Sequence, residues 1–171
     1  HLRLYVDGEP DGRETTPNTR VLDANDSWGV GRQYQTRGIK GEIDDARVYD
    51  VALTDDEVQA LFRGTDTKTP VSRYSFDGDL KDESAGLVGE HIGSGGLKYV
   101  AGASDRSGDR ALSFNNDYGV KVKNTASKNF TLSCWVRMEE PQPPPYAFGT
   151  FRLFDFGKPD AAEWFTDHVD D

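Results

Sequence analysis

The chain is predicted to be all-β, an antiparallel β-sandwich carrying one short helix. Three observations predict it: apolar side chains recur with a period of two, the candidate strands are short, and clusters of Gly, Asn, Asp and Pro separate them. At 171 residues with 35% apolar content, 16 Phe plus Tyr and three Trp, the chain has enough large side chains for a packed core.

Leu2, Leu4 and Val6 alternate with Arg3 and Tyr5 before Asp7-Gly8, a favoured two-residue hairpin turn. The pattern predicts a half-buried strand with the Leu2, Leu4 and Val6 face inward. Further strands are predicted over 28–33, 42–49, 71–76, 111–114, 119–123, 130–138 and 150–156. The helix is placed at 54–62. Thr54 is the N-cap, Asp55, Asp56 and Glu57 fill the first turn, Glu57 completes a capping box, and Leu53 staples Val58. Gly64 stops it, and the polar, breaker-rich stretch 64–70 reads as a linker. Pro141-Gln142-Pro143-Pro144-Pro145 is expected to be an extended loop, because consecutive prolines cannot donate to a ladder.

Twenty basic and 30 acidic side chains give a formal charge of −10, which argues against a nucleic-acid partner. No apolar run approaches the roughly 20 residues of a membrane helix, so membrane insertion is not expected. A single cysteine, Cys134, excludes an internal disulfide and Cys-based zinc sites.

The order of several motifs adds a resemblance. Leu2-Arg3-Leu4-Tyr5-Val6-Asp7-Gly8-Glu9, Val30-Gly31-Arg32, the run Gly41-Glu42-Ile43-Asp44-Asp45-Ala46-Arg47-Val48-Tyr49 and Ala52 to Val58 resemble the C-terminal half of laminin G-like domains, members of the concanavalin A-like jelly-roll class. Tyr74 to Ser84, Arg110-Ala111-Leu112-Ser113-Phe114 and Phe130 to Arg137 resemble the N-terminal half. The halves stand in inverted order: residues 1–63 as the finishing half, 64–70 as linker and 71–171 as the beginning half. Two tandem sandwiches, one permuted sandwich, or strand sharing between neighbouring copies would each produce this order. The resemblance also implies core strands between the Trp135 and Tyr5 regions, and too few residues remain for all of them. That shortage favours a fragment or a shared sandwich over a self-sufficient permutant.

Calcium needs several hard oxygens. Asp77, Asp79 and Asp82 crowd one loop, and Asp44 with Asp45 lies on another strand. The resemblance implies a structural calcium held by Asp44, Asp77 and Asp82. A calcium hand is excluded, since Lys81 and Asp82 occupy the positions of a ligand and a glycine. Glu42-Ile43-Asp44 is similar to the catalytic strand of the class's glucanases, but Ala46 stands where a third acid belongs, so no enzyme activity is expected. Trp28, Tyr34 and Trp164, with Tyr146, lie in or beside loops and are the candidate sugar-stacking rings, whereas Trp135 is expected to pack. His1, His91 and His168 are read as ordinary surface residues. The resulting expectation is a non-catalytic extracellular or cell-surface module that binds glycan or protein partners or spaces domains. The alternative is a structural subunit of an extracellular fibre or array whose copies share sandwich strands.

Overall fold

The computed structural model describes residues 2–14, 27–33, 37–104, 106–115, 118–126, 129–139 and 153–155. The strands are β1 (Leu2–Val6), β2 (Glu9–Glu14), β3 (Ser27–Val30), β4 (Arg32–Gln33), β5 (Arg37–Gly38) and β6 (Lys40–Tyr49), followed by the helix α1 (Asp55–Phe62). Then come β7 (Ser72–Tyr74), β8 (Glu90–Gly93), β9 (Lys98–Ala101), β10 (Arg110–Asn115), β11 (Tyr118–Lys123), β12 (Thr131–Met138) and β13 (Phe154–Asp155).

Two antiparallel sheets face each other. One runs β12-β6-β10-β9, with β7 also paired to β6; the other runs β13-β3-β11-β8. Ile43, Ala46, Val48, Tyr74, Leu112 and Phe114 from the first sheet meet Trp28, Val30, Tyr118, Val120 and Val122 from the second in one buried core. This is the period-two alternation expected of a sandwich. Each sheet sets one strand from before the linker among strands from after it: β6 holds β7, β10 and β12, and β3 holds β11 and β13. Segments from both sides of 64–70 thus share the two sheets and one core within this chain.

β6 is the organising strand of the first sheet, and a bulge divides it. Ser133 pairs with Arg47 and Trp135 with Asp44, so β6 advances three residues while β12 advances two. Asp45, at φ 49°, is the extra residue of a β-bulge. Beyond the bulge, Ala46 and Val48 return to the core side. At the other end of β6, Gly41 (φ 155°) lets β12 approach: a Cβ there would lie 2.3 Å from the Arg137 carbonyl oxygen.

α1 forms as the capping box predicts. Glu57 N–H donates to Thr54 Oγ1 at 3.3 Å, and Thr54 N–H donates to the Glu57 carboxylate at 2.9 Å. Leu53 and Val58 bury beside Tyr49 in a second apolar cluster.

The β1–β2 hairpin turns through Asp7 (φ 51°) and Gly8 (φ 80°), the two positive φ values of a type I′ turn. Its inward face is the reverse of the one expected. Leu4 and Val6 are 56% and 51% exposed, while Tyr5 packs against the Tyr49 cluster. The hairpin docks on α1 rather than in a large sheet. Asp55, at the helix N-terminus, accepts from Tyr5 Oη at 2.6 Å and Arg3 Nη1 at 3.0 Å, which draws the Arg3–Tyr5 face down. Four strands lacked a usable apolar period in the sequence: β2, β5, β8 and β9. The Pro141–Pro145 loop lies outside the described residues.

Candidate functional site

Asp44 comes from β6, Asp77 from the turn after β7, and both meet the loop between β9 and β10. Asp44 is 4% exposed, and its Oδ2 accepts Ala103 N–H at 2.8 Å. Burial, aided by the nearby Asp109 and Asp45 carboxylates, pushes its pKa up to about 6. Asp77 Oδ1 accepts Arg110 N–H at 2.8 Å, and Asp77 Oδ2 pairs with Arg106 at 3.1 Å. Arg106 also pairs with Asp109 at 2.9 Å, and Asp109 accepts Ser104 N–H at 2.8 Å. Burial alone would raise Asp109, but Ser104 and Arg106 hold it below the usual carboxylate range. Asp109 and Arg106 are members of this cluster that no sequence motif marks. The available indication was an acid at the end of a turn-rich loop directly before a strand.

Asp82 does not join them. It is fully buried and its carboxylate is filled by protein donors: Ser72 Oγ at 2.5 Å, Arg73 N–H at 3.0 Å, Ser84 N–H at 2.9 Å and Ala85 N–H at 3.0 Å. It pins a turn to β7. Among the described residues no group of three His, Cys, Asp or Glu side chains is placed to hold a metal ion. The residues present therefore do not fit a cation shared by Asp44, Asp77 and Asp82, and Arg106 supplies positive charge beside Asp77 and Asp109.

The bulge residue Asp45 is a structural partner. It pairs with Arg73 Nε at 2.7 Å and Arg47 Nη2 at 2.5 Å, and Arg47 reaches Asp66 at 3.5 Å. Although burial opposes ionisation, the two guanidiniums hold Asp45 below its ordinary pKa. The network ties the linker to β6 and β7.

The predicted aromatic set is redistributed. Trp28 is 2% exposed, with its ring 6.2 Å from Phe154, so it is a core residue and presents no face to a sugar. Tyr34, Tyr146 and Trp164 lie outside the described residues. Trp135, expected to pack, is 43% exposed instead, with its ring 5.7 Å from the 41%-exposed Phe62. Its position on the outward-facing side of β12 explains the difference: it stands opposite Asp44 rather than over the core. His91 is half-buried with its ring 5.3 Å from Tyr118; His1 and His168 lie outside the described residues.

By family comparison, residues 1–59 match the Concanavalin A-like lectin/glucanases superfamily. The match covers 59 of the 171 residues, so the likeness is to part of the chain. No curated protein and no solved structure matches the chain. The matched segment contains Glu42 and Asp44, the two acids of the glucanase-like pattern. Glu42 is bound to Arg137 at 2.6 Å with 12% of its side chain exposed, Asp44 is buried under Ala103, and Ala46 is 4% exposed in the core. Glycoside hydrolysis needs two carboxyl groups flanking an accessible bond. Both acids of this pattern are engaged within the chain.

Proposed function

We propose that the chain is a non-catalytic recognition or spacing module of an extracellular or cell-surface protein, contacting glycan or protein through the outward face that carries Trp135 and Phe62. One observation carries the reading. The sandwich leaves an aromatic pair open to solvent while Glu42 and Asp44 are tied down by Arg137 and Ala103. An exposed ring can stack on a sugar or anchor a protein contact. The structural calcium that the resemblance implies enters the proposal only in reduced form, without Asp82, whose carboxylate the protein's own donors fill. Asp44 and Asp77, the predicted ligands at one loop, would have to exchange Ala103 N–H and Arg106 for the cation.

Tryptophan fluorescence titrated with a polysaccharide panel tests the binding claim. A saturable change lost in Trp135→Ala supports it, and no change with any glycan or extracellular-matrix protein overturns it. Release of reducing sugar that disappears in Glu42→Gln would overturn the non-catalytic claim. Chelator lowers the melting temperature if calcium braces the fold; an unchanged melting curve removes calcium. The second reading, a subunit completed by neighbouring copies, draws support from the exposed end of β12.

A further inference from the structure

β12 ends the five-stranded sheet. Among the described residues it has β6 on one side and no strand on the other. Residues 135–139 are all exposed, whereas 131–134 are half-buried. The side-chain directions are fixed by register. Arg137 stands opposite Glu42 and pairs with it outward, so Val136, opposite Ile43, points to the core side. Ile43 is fully buried, yet Val136 is 43% and Met138 38% exposed. Leu132 and Cys134, in the same inward row, pack against the core. The inward row of β12 therefore runs out of cover halfway along the strand.

Exposed edges with apolar side chains are templates for another strand. We propose that β12 pairs antiparallel with β12 of a second copy of this chain, extending the five-stranded sheet across a two-fold axis near Trp135. This gives the strand-sharing subunit a closed form. The strand is self-complementary about that axis. Val136 of one copy meets Cys134 of the other, Met138 meets Leu132, and Arg137 meets Ser133, so the inward row stays apolar throughout. The charges also permit it. Although the chain carries −10, Arg137 is neutralised by Glu42 at 2.6 Å and Glu139 by Lys40 at 3.0 Å, so the edges meet without a like-charge cost. An eight-residue strand is about 26 Å long, and such an edge with a few exposed side chains buries less than the roughly 800 Å² per partner of a stable complex. The dimer is therefore weak and concentration-dependent. Because the same strand serves both copies, it closes at two.

Sedimentation velocity of the 171-residue chain from low to high micromolar concentration tests it, together with amide exchange over 131–138. The expected result is a monomer–dimer equilibrium in which protection of alternate β12 amides rises with concentration. Val136→Lys raises the dissociation constant roughly tenfold or more with the melting temperature unchanged. Met138→Lys, nearer the strand end, serves if Val136→Lys is unstable. Leu4→Lys, on the hairpin's exposed apolar face, leaves the dimer intact. A monomer at every concentration, a polymer, or a dimer indifferent to both β12 variants overturns the proposal. None of these outcomes depends on whether a glycan binds.

Discussion

Asp44→Asn, measured in chelator, should stabilise the protein at neutral pH. Burial raises the Asp44 pKa from 3.8 to about 6, with Asp109 and Asp45 adding repulsion. The folded state then binds more protons than the unfolded state between those values. Stability therefore falls as pH rises through about 4 to 6, and the deficit is complete above that window. Two pKa units at 1.36 kcal/mol each put the deficit at about 3 kcal/mol. Asparagine keeps an acceptor for Ala103 N–H, so most of the hydrogen bonding survives. At about 2 to 4 °C per kcal/mol for a chain of this size, melting should rise by roughly 6 to 12 °C at pH 7.5. At about pH 3 or below, under the unfolded-state pKa, aspartate and asparagine are both neutral in both states and the gain should vanish. Thermal unfolding across this range is the assay. A loss at pH 7.5, or an equal gain at both ends of the range, refutes the reasoning. If calcium sits at Asp44, adding it reverses the sign, because the variant forfeits a ligand.

Asp82→Ala leaves Ser72, Arg73, Ser84 and Ala85 without their acceptor and should cost about 3 to 5 kcal/mol in denaturant unfolding, whereas Asp82→Asn costs less. Gly31→Ala should be as harmful as a core lesion. Its φ of 74° disfavours a side chain, and the new Cβ would stand 2.3 Å from the Phe114 ring, so heat should unfold the variant at visibly lower temperature. Thr54→Ala removes the capping box and should cost about 1 kcal/mol, with helix loss visible in circular dichroism.

Local chemistry was the most legible part of the sequence. The cap at Thr54, the I′ turn at Asp7-Gly8 and the alternating strands later found at β6, β10, β11 and β12 are each written in adjacent residues. Facing was harder to read. Alternation in Leu2 to Val6 reveals two faces but not which is covered, and the choice fell to Asp55, 50 residues away from Tyr5. Asp82 illustrates the same limit: its acid character was visible, but its donors are the Ser72 hydroxyl and the Arg73 N–H on β7 and two backbone N–H groups of the following turn, brought together by the fold. Trp28 and Trp135 exchanged roles because the covered face of a strand is set by the sheet it joins: Trp28 turns into the core from β3, whereas Trp135 shares the outward side of β12 with Arg137.

The central place of β6 has a consequence for how the chain is made. Its partner Arg137 lies 95 residues beyond Glu42, so the strand leaves the ribosome long before its neighbour exists. At 5 to 20 residues per second, the delay is roughly 5 to 20 s. Over that interval β6 gains first β7 and then β10 as partners, and its β12 side stays open until last. Closure of the first sheet thus waits for the later half of the chain.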